Sequence, residues 1–361
     1  MKLKYLSTKD DLKKFIGFTK EVYRDDPLYR DAMSSIAQMF LSKKTAYLEH
    51  ARVYPVWVEN NGGMLARAAF IIDYKQEDML IVSFFEAKRD AQKAVNLIIS
   101  EAKKLAEKKG LKRIVIGLDA HLNYRVGFLA SHFNETPTFG LAYNPDYYSS
   151  FFSGCREYNF SSFSVEIDRF NMEKEKPILS RIKQKGFTFR FADLSRLDRE
   201  IEIYTYLNNL CFRDHLWWAD RTVKEDLELF HPFRWFLKGE NLIFAEKEGQ
   251  PIGMMLWYPD FNQLLPQGKG LGLKALVQYK MGLGKIDKFK IAEIAVGQKY
   301  QGSGAVLGFF DLLYSVVKDK YKICEAGWVE ENNIKSRSLG IRWEDFGCQE
   351  YKKFKAYEVL I

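Results

Sequence analysis

The loop Gln298–Ala305 has the composition of a phosphate-binding turn, because Gly302 and Gly304 permit backbone conformations that point several N–H groups in one direction. An apolar repeat of helical period follows the loop directly, at Val306, Phe309, Leu313 and Val317. The first N–H groups of a helix have no intrahelical partner, and they lie at the positive end of the helix dipole. The sequence therefore predicts an anion site suited to phosphate at this point.

The elements around this loop must position it. The apolar strand Phe289–Val296 leads into the loop, and a further strand and a polar turn containing Asn332 and Asn333 follow the helix. The chain before the loop reads as two successions with the same order: a strand, helices, an antiparallel hairpin and another strand. In the first half the predicted elements are Lys2–Leu6, a helix from Leu12 to Tyr23, Val53–Glu59, Met64–Asp73, Met79–Phe85, Ala91–Lys109 and Lys112–Leu118. In the second half they are Ser161–Ile167, Lys176–Lys185, Phe187–Ala192, Leu197–Phe212, Val223–Leu237, Asn241–Lys247 and Pro251–Tyr258, then a Gly/Lys-rich excursion over Leu264–Gly284.

This order predicts an α+β protein with two domains, residues 1–150 and 151–361. Each domain is expected to contain a mixed, mostly antiparallel sheet flanked by helices. The length of 361 residues suits two cores better than one. The four cysteines are far apart and form no C-x-x-C pair, which favours reduced thiols over a disulfide framework or a zinc site.

The composition also limits the class of partner. The net charge of +8 is mild for this length, and no nucleic-acid-binding motif accompanies it. No apolar run approaches the roughly 18–20 residues of a membrane span, and the N-terminus lacks an apolar signal region. We therefore expect a cytoplasmic protein without a nucleic-acid or membrane partner, and no histidine spacing indicates a metal site.

The loop and its flanking elements resemble the GNAT superfamily of coenzyme A-dependent N-acyltransferases. The family signature is Gln/Arg-x-x-Gly-x-Gly/Ala, and Gln301-Gly302-Ser303-Gly304-Ala305-Val306 matches its glutamine and central glycine but has Val306 where a small residue is usual. The segment Asn332–Ser338 resembles the second signature, Asn-x-x-Ser/Ala. In many members a tyrosine four residues after that Ser/Ala protonates the coenzyme A sulfur, and Gly340 holds this position here. The segments 25–29 and 143–148 resemble bacterial two-domain GNAT proteins of unknown substrate.

The resemblance implies two tandem GNAT-like domains. The first domain is expected to be degenerate, and the second is expected to bind acetyl-coenzyme A or another acyl-coenzyme A. The corresponding loop of the first half, Glu86–Asp90, contains no glycine, so that half is not expected to hold the cofactor in the same way. The cofactor-binding residues implied for the second half are Ala295, Val296, Gln301, Gly302, Ser303, Gly304, Ala305, Val306, Asn333 and Ser336.

Acyl transfer to an amine requires the amine to lose a proton, and a carboxylate is the usual acceptor. Glu293, on the strand that enters the loop, resembles the glutamate that the family often places here. Its side chain could equally point away from a cleft, since side chains alternate along a strand. Ser336 is the second catalytic candidate, as donor to sulfur, with Tyr300 and Tyr314 as alternatives.

The acceptor is expected to be a small-molecule or peptide amine, with Trp257, Tyr258, Tyr143 and Asn144 as candidate substrate-binding residues. The aromatic residues among them are equally typical of core packing. Two other functions stay open: a non-catalytic acyl-coenzyme A sensor or scaffold, motivated by Gly340 and Val306, and an aminoacyl-tRNA-dependent transferase.

Overall fold

The computed structural model describes residues 1–76 and 78–361, which form two compact units. Unit 1 comprises Met1–Phe160, Leu265–Leu271 and Lys352–Ile361, and unit 2 comprises Ser161–Leu264 and Gly272–Tyr351. The first segment of unit 1 runs ten residues beyond the expected boundary at residue 150, and unit 1 also includes two segments from the expected second domain, Leu265–Leu271 and Lys352–Ile361. The last strand completes the sheet of unit 1, a pairing between distant parts of the chain that local sequence patterns do not report.

The helices and strands of the chain include the predicted ones, in the predicted order. They are β1 (Lys2–Tyr5), α1 (Lys9–Val22), α2 (Ser34–Leu41), β2 (Ala51–Asn60), β3 (Gly63–Asp73), β4 (Met79–Ala87), α3 (Gln92–Lys108), β5 (Arg113–Ile116), β6 (Phe128–Leu129), β7 (Arg156–Glu166), α4 (Lys176–Gln184), β8 (Phe187–Phe191), α5 (Leu197–Phe212), α6 (Val223–Phe233), β9 (Leu242–Lys247), β10 (Gln250–Pro259), α7 (Leu273–Lys280), β11 (Lys288–Val296), α8 (Ala305–Val317), β12 (Ile323–Glu330), α9 (Ile334–Ile341) and β13 (Gln349–Leu360).

The sheet of unit 1 has the strand order β1-β2-β3-β4-β5-β13. The neighbours are antiparallel except β4 and β5, which are parallel and are joined through α3. The apolar face of α3 packs on this sheet, with Val95, Ile98 and Ala102 fully buried. The helix therefore packs across β2, β3, β4 and β5 on one face of the sheet.

The sheet of unit 2 repeats this plan, with the order β12-β11-β10-β9-β8. Its parallel pair is β11 and β12, joined through α8, and the pairs from β8 to β11 are antiparallel. The core on one face is built by α8 and the two central strands, with Trp257, Phe289, Ile291, Phe309 and Leu313 buried together. Helix α5 packs against β10 and β11.

The predicted α+β class and the mixed, mostly antiparallel sheets are confirmed. Several elements were not predicted, notably α2, β13 and α7, the last within the Gly/Lys-rich excursion. Helix α6 ends at Phe233 rather than Leu237, one residue after Pro232, which has no N–H to donate to the preceding turn of the helix. In the described part of the chain, no helix combines the length and the apolar character needed to cross a bilayer.

Candidate active site

A β-bulge in β11 sets the direction of Glu293. Leu256 of β10 pairs with Glu293, whereas the next residue, Trp257, pairs with Ile291, so Ala292 is an extra residue in the ladder. A bulge shifts the alternation of side chains by one. Glu293 consequently lies on the face opposite the core residue Ile291, and it shares that face with Lys290, which pairs with Tyr258.

The two parallel strands of unit 2 separate beside Glu293. The pairing of β11 with β12 ends at Ile291 and Ala326, although β11 continues to Val296 and β12 to Glu330. The backbone of β11 from Ala292 onward therefore has an edge that is not paired with β12. Such an edge offers N–H and C=O groups to an extended ligand. Ala295 and Val296 lie in this segment.

Helix α5 supplies the partners of Glu293. The Tyr204 hydroxyl donates to Glu293 Oε2 at 2.7 Å, and Asn208 Nδ2 donates to the same oxygen at 2.8 Å. Tyr204 and Asn208 are four residues apart and so lie on one helix face. Oε1 accepts no hydrogen bond from the residues that the structure describes. The carboxylate is thus held through one oxygen, and the other is available to a substrate.

The environment of Glu293 makes it a stronger base than an exposed carboxylate. Burial raises its pKa to about 7, and the negative charge of Asp226 acts in the same direction. The hydrogen bonds from Tyr204 and Asn208 and the charge of Arg221 oppose this shift. A carboxylate with a pKa near 7 is well matched to proton transfer at neutral pH.

The buried charges behind Glu293 form a connected network. The Arg221 Nε donates to Asp226 at 2.6 Å, and the Thr205 hydroxyl donates to Asp226 at 2.7 Å. Lys290, on the same sheet face as Glu293, is also buried, and this burial lowers its pKa to about 8. The negative charges of Glu325, Glu293 and Asp260 act in the opposite direction and raise that pKa. These interactions fix the charge distribution around Glu293.

The loop after β11 has the geometry of an anion site. Gly302 and Gly304 have φ angles of +76° and +88°, in the left-handed region that favours glycine. The N–H groups of Gly302, Gly304 and Val306 donate to no protein group in the described part of the chain. A phosphate fits this arrangement, since unpaired N–H groups precede α8 at its positive end.

Neighbouring side chains shape the loop without closing it. The Ser303 hydroxyl accepts a hydrogen bond from the Ala305 N–H at 3.2 Å, so Ser303 acts as a local cap. Lys335 Nζ donates to Gln301 Oε1 at 2.8 Å, which brings a positive charge to the loop. Val306 is only half-buried, so its bulk is accommodated at the start of α8.

The second signature forms the start of α9. Asn333 is the N-cap, and its Oδ1 accepts a hydrogen bond from the Ser336 N–H at 3.1 Å. The Ser336 hydroxyl makes no hydrogen bond to any residue that the structure describes. At Gly340 a Cβ atom would overlap the ring of Phe163. Phe163 thus occupies the space next to the position where many family members have a tyrosine.

The other predicted aromatic site residues of unit 2 differ in their surroundings. Trp257 is 1% exposed, on the core face opposite Glu293, and its Nε1 donates to the Glu240 carbonyl at 2.5 Å. Tyr258 lies on the Glu293 face, with Lys290 5.8 Å from its ring centre. Tyr300 packs edge-on against Phe187, and Tyr314 packs against Phe170. Tyr258 is therefore the better placed of the two predicted acceptor contacts in unit 2.

Tyr143 and Asn144 belong to unit 1. The Tyr143 hydroxyl donates to Asp26 at 2.8 Å, which joins the two segments that resemble bacterial two-domain proteins. Asn144 is buried and bonds the backbone N–H and carbonyl groups of Leu129. Both side chains thus fix the loops of unit 1.

Unit 1 has a buried carboxylate at the corresponding place but a different loop. Glu86 of β4 accepts hydrogen bonds from the hydroxyls of Tyr23 at 2.9 Å and Tyr148 at 2.6 Å. Burial raises its pKa. In the following turn Arg89 pairs with Asp146 at 3.1 Å, and no left-handed glycine is present between β4 and α3. The start of α3 therefore lacks the features that mark α8.

Sequence reasoning proposed Glu293 and the glycine loop as site residues, but it did not propose Tyr204, Asn208 or Lys290, which surround Glu293 in the structure. Tyr204 and Asn208 had a usable signal, because they place polar groups at helical spacing on the inward face of α5. The bulge at Ala292 and the separation of β11 from β12 had none, since both depend on the register with neighbouring strands.

No family model matches the chain. Among curated proteins it is 22% identical to the bacterial ceramide synthase of Caulobacter vibrioides, over 98% of this chain and 96% of that protein. It is 20% identical to the protein YghO of Escherichia coli, over 98% of this chain and 94% of that protein.

Solved structures resemble the whole chain. The tandem GNAT protein of the clavulanic acid biosynthesis pathway matches with a TM-score of 0.55 at 12% identity, over 99% of this chain and 98% of that one. A GCN5-related N-acetyltransferase of Sphaerobacter thermophilus matches with a TM-score of 0.52 at 12% identity, over 99% and 95%. A GCN5-related glucosamine N-acetyltransferase region of a fungal multi-domain β-N-acetylglucosaminidase gives 0.58 at 12% identity, and this chain spans 38% of that longer protein.

These matches define the class: the chain has the fold of the GCN5-related N-acetyltransferases. More particularly, its two units correspond to the tandem form of that fold. The resemblance inferred from the glycine loop is thereby confirmed at the level of the fold.

Proposed function

We propose that the protein is an N-acyltransferase that moves an acyl group directly from an acyl-coenzyme A to an amine. One arrangement carries the proposal: Glu293 lies in the segment of β11 that has left β12, immediately before a loop with unpaired N–H groups. The fold supports acyl transfer in general, and this arrangement supports the particular reaction.

The proposed reaction assigns a separate role to each of several groups in unit 2. The N–H groups of Gly302, Gly304 and Val306 bind the diphosphate, assisted by the charge of Lys335. When bound, acyl-coenzyme A would supply the thioester that carries the acyl group. Glu293 Oε1 takes a proton from the amine, directly or through water, and the pKa of about 7 keeps this carboxylate basic at neutral pH. Backbone N–H groups of β11 near Val296, in the segment that is not paired with β12, would stabilise the acyl oxygen.

The donor to the leaving sulfur is the least constrained role. Gly340 and Phe163 exclude the usual tyrosine from its family position. We assign the role to the Ser336 hydroxyl, which has no hydrogen-bond acceptor in the described part of the chain. The exclusion of the tyrosine also favours the second candidate function, a sensor that binds acyl-coenzyme A without transferring the acyl group.

The acceptor is proposed from the full-length similarity to the Caulobacter protein, whose name denotes synthesis of a ceramide. A ceramide is the amide of a fatty acid and a long-chain amino alcohol. Long-chain amino alcohols with long-chain acyl donors are therefore the first substrates to test, beside short amines and peptide N-termini.

The test is release of free thiol from acyl-coenzyme A, with mass spectrometry of the amide product. The proposal predicts amine-dependent thiol release by the native protein and its loss in Glu293→Gln. Binding of acyl-coenzyme A without thiol release across all three amine classes would instead establish the sensor.

A further inference from the structure

Helix α7 lies in a segment whose charged residues are all basic. No acidic residue occurs between Asp260 and Asp287, whereas four lysines do: Lys269, Lys274, Lys280 and Lys285. Lys285 is 3.6 Å from Asp287 and is thus partly neutralised. Lys274 and Lys280 are exposed and have no acidic partner in the described part of the chain.

Helix α7 is attached to unit 2 by one face. Ala275 is 4% exposed, and the Tyr279 ring contacts those of Phe236 and Phe261, at centroid distances of 6.3 Å and 5.2 Å. Ala275 and Tyr279 are four residues apart and so lie on the same side of the helix. The opposite side is directed to solvent.

This outer side is apolar rather than polar. Leu273 is 77% exposed, Val277 45% and Met281 66%, at a spacing of four residues that places them in one stripe. Leu283, in the turn after the helix, is 51% exposed. An outward apolar stripe on a helix that already has a buried face costs solubility, and so it indicates an interaction surface.

The two lysines border the stripe. Successive residues of an α-helix are about 100° apart around the helix axis. Measured around the axis from Leu273, Val277 lies at roughly 40° and Met281 at roughly 80° in the same direction. Lys274 lies just beyond Met281, at about 100°, and Lys280 lies on the other side of Leu273, at about 20°. Each lysine has a flexible aliphatic stem that can follow an apolar surface while its ammonium stays in a polar layer.

We propose that α7 docks unit 2 onto the surface of an anionic lipid bilayer. The stripe Leu273/Val277/Met281, with Leu283, enters the boundary between headgroups and acyl chains, and Lys274 and Lys280 contact the anionic headgroups. Amphipathic surface helices bind membranes through this combination of apolar burial and charge attraction.

The charge pattern selects a bilayer over a protein partner. A protein partner would be expected to present polar groups of either sign around an apolar stripe. All charged residues in the 26 positions between Asp260 and Asp287 are basic, which matches the negative charge of an anionic lipid surface. The expectation of no membrane partner rested on the absence of a spanning segment, and a helix lying on the surface does not need one.

Cosedimentation of the full-length protein with vesicles tests the proposal. With phosphatidylglycerol/phosphatidylcholine vesicles in low salt, we expect saturable binding that weakens as sodium chloride is raised, since salt screens the headgroup charge. With pure phosphatidylcholine, binding is expected to be at least tenfold weaker.

Two variants separate the contributions. Lys274→Gln with Lys280→Gln is expected to weaken binding to the anionic vesicles about 25-fold, at roughly fivefold per lysine. Leu273→Ser with Met281→Ser is expected to weaken binding at least tenfold, through lost apolar burial. Matched controls on α3 of unit 1, Leu97→Ser and Lys108→Gln, should leave binding unchanged. Circular dichroism melts check that each variant is folded.

Several results would overturn the proposal. No cosedimentation of the native protein at low salt would do so, as would equal losses in the α3 controls. Sedimentation velocity tests whether the stripe instead binds a second copy of the chain. If the native protein does not bind vesicles but is a dimer, and Leu273→Ser with Met281→Ser converts it to a monomer, the stripe is assigned to self-association. None of these measurements requires acyl transfer, so they are independent of the proposed reaction.

Discussion

Glu293 combines a position beside the separated strands with an unusual proton affinity. Burial and the charge of Asp226 raise its pKa, and the hydrogen bonds from Tyr204 and Asn208 limit that rise. The balance gives a carboxylate that is deprotonated in about half of the molecules near pH 7. This is the property that the proposed proton transfer needs.

The first prediction is that Glu293→Gln lowers kcat/KM by about 10²–10³, since Gln cannot accept the proton. In the native protein, kcat/KM should rise with pH through about 7, as Glu293 loses its proton, and then level off. Steady-state kinetics from pH 5.5 to 9 measure both effects.

Tyr204→Phe provides the discriminating variant. It removes a hydrogen bond that lowers the pKa of Glu293, so the rise of kcat/KM should move to higher pH while the plateau is largely kept. A pH profile that is the same in native protein and Tyr204→Phe would argue that another group controls the rate.

The second prediction concerns stability. The pKa of Glu293 is about 7 in the folded state and near 4.5 when unfolded. Its contribution is therefore most favourable below pH 4.5 and is lost as pH rises to 7, because the folded state must then ionise a buried acid. Glu293→Gln should thus increase the free energy of unfolding at pH 8 by up to about 3 kcal/mol. Urea unfolding at pH 5 and pH 8 measures this, and an equal effect at both values would contradict it.

The strand, loop and helix from β11 to α8 form the element that positions the site. Its existence was readable from the sequence, since an apolar strand, two glycines and a helical repeat follow one another. Its details were not, because the bulge at Ala292 and the loss of pairing after Ile291 arise from the register with β10 and β12. Local patterns specify elements, whereas register is decided by partners far away in the chain.

Helix α7 illustrates the opposite case. The segment Leu264–Gly284 was described only as a Gly/Lys-rich excursion, and no helix was predicted within it. Its residues Leu273–Lys280 are good helix formers such as Ala, Leu, Gln and Lys, and the helix is completed by packing of Ala275 and Tyr279. Tertiary contacts thus decided an element that was too short to have a clear period.

The third prediction distinguishes the two loop glycines. Gly302→Ala and Gly304→Ala each place a Cβ at positive φ, which costs about 1–2 kcal/mol. Only at Gly304 does the Cβ also meet another side chain, Ile178 Cγ2 at 2.7 Å, whereas Gly302 has open space. We therefore expect Gly304→Ala to cost clearly more in chemical denaturation. Equal losses in the two variants would contradict the geometry of the loop.

At the scale of the molecule, the chain uses one fold twice but completes the first copy with its last strand. β13 pairs with β5 in unit 1, through Tyr357 opposite Ile116. The order of elements predicted the repetition, whereas the return of the C-terminus required a contact over more than two hundred residues.

The fourth prediction tests this completion. Tyr357 is fully buried, with its ring against Phe128 and Phe152. Tyr357→Ala should destabilise unit 1 by about 3–5 kcal/mol, as expected for a large buried aromatic. Hydrogen exchange should then increase in β4 and β5. Leu360→Ala, at a position 70% exposed, is the control and should change stability by less than about 0.5 kcal/mol. Unchanged protection of β5 in Tyr357→Ala would contradict the pairing.

The central claim is that the turn before α8 holds a diphosphate. Isothermal titration of the native protein with acetyl-coenzyme A and with a long-chain acyl-coenzyme A measures it directly, with Gly304→Ala as the comparison. We predict one site per chain that saturates well below about 1 mM and is at least tenfold weaker in Gly304→Ala. Absence of binding of either ligand to the native protein at about 1 mM would contradict the claim and remove the basis for the acyltransferase assignment.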